Sequence, residues 1–92
     1  MDKSHFDIRV IGKVQGVFYR ASTMTKAMEL SIFGFVRNEI DGSVYIEAEG
    51  SSQKLDKFIQ WCNEGSDFSR VDNIDVQEAN VKNFTTFEIK RN

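Results

Sequence analysis

The first third of the chain passes from a strand pattern to a helix pattern. The apolar positions near the N-terminus are every second residue: Phe6, Ile8 and Val10. This period of two predicts a β-strand over about residues 5–13. The next apolar positions are three or four residues apart: Met24, Ala27 and Met28. They predict a helix over about residues 21–32, and Gly34 stands where a glycine commonly ends a helix.

A β-hairpin is predicted to follow this helix. Residues 35–40 have the pattern of a strand, with Val36, Asn38 and Ile40 on one face. The dipeptide Asp41-Gly42 is typical of a two-residue hairpin turn. The apolar positions after the turn again alternate with polar ones: Val44, Ile46 and Ala48. This alternation predicts a half-buried partner strand.

A second helix and two further strands complete the pattern. The apolar stripe of the helix has the spacing i, i+3, i+4 and i+7: Leu55, Phe58, Ile59 and Cys62. Serines before this stripe offer an N-terminal cap, and Gly65 follows it as a helix end. Further apolar residues predict a strand over about residues 70–79 and a short terminal strand over about 84–90.

The order of elements predicts the fold class. Strand, helix, strand, strand, helix, strand is followed by one short extra strand. Both apolar helix faces are buried if the two helices pack on one face of a four- to five-stranded, mostly antiparallel sheet. We therefore expect an α+β fold, a ferredoxin-like α/β sandwich. The chain has no linker, internal repeat or low-complexity tract, so residues 1–92 are expected to form one domain with a core over about 5–91.

Composition limits the classes of function and of location. The 92 residues include 12 Lys and Arg against 14 Asp and Glu, which gives a net charge of -2. This balance argues against non-specific nucleic-acid binding, which needs a basic surface. The N-terminus lacks the apolar core of a signal peptide, and the most apolar run, residues 30–36, is too short to cross a membrane. A single cysteine cannot form an internal disulfide, so a cytoplasmic location is expected.

The first candidate for chemistry is the segment Gly12-Lys13-Val14-Gln15-Gly16-Val17-Phe18-Tyr19-Arg20. It leaves a strand, turns at a glycine and opens a helix, so its backbone N–H groups can converge where the helix dipole favours an anion. Arg20 adds a guanidinium group whose donors fit a phosphate. The segment lacks the Gly-Lys-Ser/Thr of a nucleotide P-loop. From spacing alone, an ordinary strand-to-helix turn with a solvated arginine is the more common structure.

Asn38 is the second candidate. Its amide shares a predicted strand face with apolar residues, and an amide on such a face needs a hydrogen-bond partner or a function. An asparagine both donates and accepts, so it can hold a water molecule. The alternative is an asparagine near a strand end that bonds to turn backbone.

Neither His5 nor Cys62 is expected to act in catalysis. His5 is the only histidine and lies near a terminus that is expected to fray. Cys62 belongs to the apolar stripe of the second helix and is expected in the core. No spacing of cysteine, histidine and carboxylate residues suggests a zinc site.

Together the two candidate segments resemble the acylphosphatase family. The segment from Gly12 to Arg20 matches the first signature of that family at every defining position. The second signature is matched by Gly34-Phe35-Val36-Arg37-Asn38 and Asp41-Gly42-Ser43-Val44. Later segments are also similar to the family: Gly65-Ser66, Ser69-Arg70-Val71 and Phe87-Glu88-Ile89. One departure is Asp67, where many relatives have a proline.

The resemblance implies an activity and a site. Acylphosphatases are small enzymes that hydrolyse the carboxyl–phosphate bond of acyl phosphates. By resemblance, Arg20 and Asn38 are catalytic, and Asn38 orients the attacking water. The implied phosphate-binding residues, acting mainly through backbone amides, are Gln15, Gly16, Val17, Phe18, Tyr19 and Arg20.

The resemblance also implies how the reaction proceeds and which partners take part. Water attacks the phosphorus in line, without a metal, an organic cofactor or a phosphoenzyme. The substrate is a small acyl phosphate, and inorganic phosphate is both product and competitive inhibitor. We expect a monomer that binds neither nucleic acid nor membrane.

Two other functions share this order of elements. In an RNA-recognition motif, Phe33-Gly34-Phe35-Val36 would be part of the aromatic signature. However, Ser31-Ile32 replaces the basic residue and glycine that precede this signature, and the segment follows the first helix instead of the hairpin turn. A regulatory or metal-carrying domain is the other alternative, although a metal carrier would need a pair of cysteines.

Overall fold

The computed structural model describes residues 3–91 of the chain. Met1, Asp2 and Asn92 lie outside the described residues, and so do the parts of the expected domain and N-terminal segment that fall on them. Seven elements follow one another along the chain: β1 (Ser4–Lys13), α1 (Tyr19–Glu29), β2 (Phe33–Asn38), β3 (Val44–Gly50), α2 (Ser52–Glu64), β4 (Arg70–Ala79) and β5 (Phe87–Lys90). Within the described range, no helix is both long and apolar enough to cross a bilayer.

The strands form a five-stranded sheet in the order β4-β1-β3-β2-β5. Neighbouring strands are antiparallel except β2 and β5, which are parallel. The sheet is therefore mixed and open, with β4 and β5 at its edges. Helix α1 packs against β2 and β5, and α2 packs against β1, β3 and β4. The predicted sandwich of two helices on a mostly antiparallel sheet is confirmed.

The core lies between the helices and one face of the sheet. The strand register places Ile46 of β3 between Ile8 of β1 and Val36 of β2, and all three side chains are fully buried. From α2, Phe58 reaches Phe87 of β5 with a separation of 6.2 Å between ring centroids. The predicted stripe of α2 is confirmed at its buried positions, which are Leu55, Phe58 and Cys62.

The bounds and the buried face of α1 differ from the prediction. The helix covers Tyr19–Glu29, and the predicted stripe is wrong at Met28, which is 66% exposed, whereas Ala27 is fully buried and Met24 packs against the core. The buried residues are instead spaced by four: Tyr19, Thr23 and Ala27. A threonine can be buried here because its Oγ1 donates to the Tyr19 carbonyl oxygen at 2.7 Å.

The helix does not end through Gly34, as was expected. Ser31 takes the left-handed conformation after α1, with a φ of 57°, and Gly34 lies inside β2. A Cβ atom at Gly34 would stand 1.8 Å from the Glu47 carbonyl oxygen. This glycine therefore permits the close pairing of β2 with β3, which its sequence neighbours could not reveal.

The hairpin between β2 and β3 is also one residue longer than predicted. The Glu39 N–H donates to the Ser43 carbonyl oxygen at 2.9 Å, so residues 40–42 form the turn. Ile40 is fully exposed in this turn and does not share the face of Asn38 and Val36. The Asp41 carboxylate stabilises the turn by accepting hydrogen bonds from the Ser43 N–H and hydroxyl.

His5 is not frayed, which corrects the expectation from its sequence position. It is fully buried in β1, with Nδ1 2.7 Å from Glu49 Oε2 and Nε2 2.9 Å from Asp7 Oδ1. Burial alone would raise the pKa of Glu49, but hydrogen bonds from the Lys82 N–H, from His5 and from the Phe84 N–H hold that pKa below its usual range. The contacts of His5 with Asp7 and Glu49 thus fix the start of β1, on the sheet face opposite the helices.

Cys62 lies in the core, as predicted. Its thiol is fully buried, and burial raises its pKa well above the ordinary value. Its carbonyl oxygen accepts a hydrogen bond from the Tyr19 hydroxyl at 2.8 Å. Because the acceptor is a backbone oxygen, Cys62→Ala should keep this hydrogen bond and leave only a small cavity in place of the thiol.

We expect Cys62→Ala to lower the free energy of unfolding by roughly 1 kcal/mol or more. Turnover should remain near wild type, because the side chain does not reach the candidate site described below. Chemical denaturation beside an activity assay tests this. A variant that folds normally but loses its turnover would contradict a purely structural role.

Candidate active site

Residues 14–18 connect β1 to α1 through a loop with two left-handed residues. Gly16 has a φ of 72°, and Phe18, which precedes the first residue of α1, has a φ of 61°. Phe18 makes no side-chain cap, and its carbonyl oxygen accepts from the Ser22 N–H at 3.0 Å. The first N–H groups of α1 are therefore not covered by a capping side chain, which is the geometry that suits an anion.

A cavity of about 320 Å³ opens beside this loop, and we call it the Arg20 cavity. Arg20 lines it from the first turn of α1, and Asn38 lines it from the end of β2. The two catalytic candidates, which are distant in sequence, thus face one space. Three more of the predicted residues line the same cavity: Gly16, Phe18 and Tyr19.

Gln15 and Val17 do not line the Arg20 cavity. The Gln15 amide nitrogen donates to the carbonyl oxygens of Glu39 and Ser43 at 2.7 and 2.8 Å. This side chain therefore fixes the loop to the β2–β3 turn next to Asn38, and any contact of Gln15 with an anion would be made by its backbone. Val17 lines a neighbouring groove.

Four residues of the cavity were not among the predicted site residues. Val14 and Ala21 flank the predicted residues 15–20, and the other two are distant in sequence: Ile89 and Arg91. Both come from the C-terminal end, because β5 lies parallel to β2 with Val36 beside Ile89 and Arg37 beside Lys90. The pairing ends there, and the next residue, Arg91, lines the cavity together with Asn38. The partner of an edge strand is set by the tertiary fold, so the local pattern gave no signal for a second arginine.

The charges and donors of the Arg20 cavity favour an anion. Arg20 and Arg91 bring two guanidinium groups, and none of the described residues that line the cavity is acidic. The Tyr19 hydroxyl is turned away to the Cys62 carbonyl oxygen, and burial raises the pKa of this phenol far above its ordinary value. The described lining therefore offers positive charge and hydrogen-bond donors, but no side-chain nucleophile.

One group of described residues has the composition of a metal site. Ligand atoms of His5, Asp7 and Glu47 lie within 4.8 Å of one another. This group is on the sheet face opposite the helices, near the Glu49 end of β3, whereas Asn38 pairs with Val44 at the other end. From Val44 to Glu49 a strand extends about 17 Å. An ion held there would therefore not reach the Arg20 cavity.

A family model described as acylphosphatase matches residues 6–89. This chain belongs to the acylphosphatase family. The match includes the loop, Arg20, Asn38 and Ile89, and it leaves Arg91 two residues beyond its end. The RNA-recognition and metal-carrier alternatives lose their support, since this assignment covers most of the chain.

Individual acylphosphatases are similar over nearly the whole length. A protein named Acylphosphatase from Methylococcus capsulatus is 45% identical over 85 residues, which cover 91% of this chain and 92% of that protein. Another of that name from Marinobacter nauticus is 46% identical over 88 residues, with 95% and 96% covered. The crystal structure of acylphosphatase from Bacillus subtilis superposes with a TM-score of 0.92 at 35% identity, over 95% of this chain and 98% of that one.

Proposed function

We propose that this chain hydrolyses the carboxyl–phosphate bond of acyl phosphates to a carboxylate and inorganic phosphate, by direct attack of water on phosphorus. Family membership assigns a hydrolase that acts on acyl phosphates. The observation that carries the finer proposal is that Arg20 and Asn38 face the same cavity, beside the start of a helix that has no capping side chain.

In this mechanism the phosphate group binds in the Arg20 cavity. Backbone N–H groups of the loop and the guanidinium of Arg20 donate to its oxygens. These donors also stabilise the transition state, and each well-placed one can contribute roughly 3–4 kcal/mol. Arg91 also lines the cavity and adds a second positive charge.

Asn38 holds the attacking water. Its side-chain carbonyl accepts a hydrogen bond from the water, which directs a lone pair of the water oxygen toward phosphorus. The new P–O bond forms as the bond to the acyl oxygen breaks on the opposite side. The electron pair leaves with the carboxylate, and the proton of the water passes to the phosphate product or to solvent.

The absence of an acidic or nucleophilic side chain among the described cavity residues is consistent with this chemistry. A carboxylate is a good leaving group, so a strong general base is less necessary. What remains is positioning and charge stabilisation, the main contributions in phosphoryl transfer. The proposal therefore has water as the direct nucleophile, without a metal and without a phosphoenzyme.

The remaining parts of the proposal concern location and partners. The one cysteine is free and buried, which suits a reducing compartment, and we assign the activity to the cytoplasm. The enzyme would act as a monomer on a diffusible acyl phosphate, and neither a nucleic acid nor a membrane would take part.

The purified protein should hydrolyse acetyl phosphate and benzoyl phosphate in excess EDTA, because no step uses a metal. Inorganic phosphate should inhibit competitively, since it occupies the Arg20 cavity. In water enriched with oxygen-18, the label should enter phosphate and not the carboxylate.

A simple alkyl phosphate ester is the control, and it should be nearly untouched because its alkoxide is a poor leaving group. Folded protein without turnover would refute the proposed function. Loss of turnover in EDTA, or label in the carboxylate, would refute the mechanism.

A further inference from the structure

A second depression lies directly beside the Arg20 cavity, between α1 and the segment that follows α2. We call it the Phe68 groove, and its volume is about 550 Å³. Its apolar side chains come from both sides: Val17, Phe18, Ala21, Trp61 and Phe68. Along α1 the groove extends from Ala21 to Glu29, which is about 12 Å of helix.

The groove and the cavity share a wall. Phe18 and Ala21 line both of them, so a ligand with its phosphate beside Arg20 has the rest of its structure next to Phe18. Phe18 and Phe68 are 78% and 73% exposed. Two phenyl rings exposed to water around one groove indicate a binding surface, because a ligand that covers them removes apolar area from water.

The walls of the groove are held in place. Trp61 lies against the buried Tyr19 ring, with 5.5 Å between ring centroids. Phe68 is in a short turn in which both the N–H and the hydroxyl of Ser69 donate to the Ser66 carbonyl oxygen, at 3.1 and 2.9 Å. An aromatic side chain on a fixed turn contacts a ligand at a small entropic cost.

The charges of the groove indicate which ligand it suits. Its one lysine, Lys26, is paired with Glu29 at 2.9 Å, and Asp67 also lines it. No cation of the described groove residues is therefore left for a second acidic group of a ligand. The groove fits an uncharged, apolar group.

We propose that the Phe68 groove binds the acyl part of the substrate and favours aromatic or extended apolar acyl groups over acetyl. This inference rests on the proposed function, because the acyl group extends past Phe18 into the groove only when the phosphate is in the Arg20 cavity. Phe68 would be a specificity-determining residue, since it contacts the groove and does not line the Arg20 cavity.

The test compares two substrates in Phe68→Ala. Acetyl phosphate has only a methyl group beyond its carbonyl, so we expect it to lose little from this change, and its kcat/KM should stay within about twofold of wild type. For benzoyl phosphate we expect a three- to tenfold fall, mainly through KM, because the lost contact binds ground state and transition state alike. Phe68→Leu should recover part of this loss.

The matched control is Ile40→Ala, which removes an exposed apolar side chain that lines neither the groove nor the Arg20 cavity. It should leave kcat/KM unchanged for both substrates. Equal losses for both substrates in Phe68→Ala, or no loss for benzoyl phosphate, would overturn the inference while leaving the hydrolase activity intact. If the wild type hydrolysed neither substrate, the proposed function itself would fail and the inference with it.

Discussion

Arg20→Gln is expected to reduce acyl phosphate turnover to near background and to weaken inhibition by inorganic phosphate. The phosphate is charged in the ground state and in the transition state, so the loss of the guanidinium affects both. Removal of one such donor costs roughly 3–4 kcal/mol, which corresponds to a factor of several hundred in rate. Turnover and the phosphate inhibition constant should be measured on the same preparation.

Two further variants identify what Arg20 supplies. Arg20→Lys keeps the charge but not the planar set of donors, so it should recover only part of the activity. Lys54→Gln removes a positive charge from the exposed face of α2 and should leave both turnover and the phosphate inhibition constant unchanged. Circular dichroism checks the fold of each variant. A folded Arg20→Gln protein with turnover close to wild type would show that Arg20 is not catalytic.

Asn38→Ala is expected to reduce turnover by roughly a hundredfold while phosphate inhibition stays nearly unchanged. The position of the water matters only for the chemical step, so the loss should appear in kcat. One lost orienting contact costs about 3 kcal/mol. The contrast with Arg20→Gln, which affects both quantities, separates the two roles.

Asn63→Ala is a suitable control, because it removes an exposed asparagine from α2. It should affect neither turnover nor phosphate inhibition. A folded Asn38→Ala protein that loses phosphate affinity as severely as Arg20→Gln would contradict the water-orienting role. Asn38 would then belong to the phosphate-binding group.

The pattern of the chain predicted the type of every element, and it failed where tertiary contacts decide a position. Apolar spacing suggested that Met28 is buried, but the sheet lies against Tyr19, Thr23 and Ala27 of α1. The Thr23 hydroxyl can be buried because it is hydrogen-bonded within its own helix, and spacing alone does not show this. His5 is a similar case, because two of its three carboxylate partners, Glu47 and Glu49, are distant in sequence.

The candidate site was predictable in its local part only. The loop and Arg20 are contiguous, so their juxtaposition follows from one strand-to-helix turn. Asn38 could be chosen by its unusual place on an apolar face. The place of Arg91 in the cavity and the hydrogen bond from Gln15 to Glu39 depend on which strands and turns become neighbours in the fold. The spacing of apolar residues does not reveal these neighbours.

The position of β4 at the sheet edge bears on how copies of this protein behave when they meet. An exposed edge strand can recruit another extended chain and start a fibre. Here the edge is interrupted by a bulge, since Ile11 pairs with Asn73 and Gly12 with Val71, so that Asp72 is the extra residue. Hydrogen bonding to Arg70 lowers the pKa of Asp72, so this charge persists in mildly acidic surroundings. A bent, charged border disfavours aggregation, and the sheet can remain open without growing into a larger one.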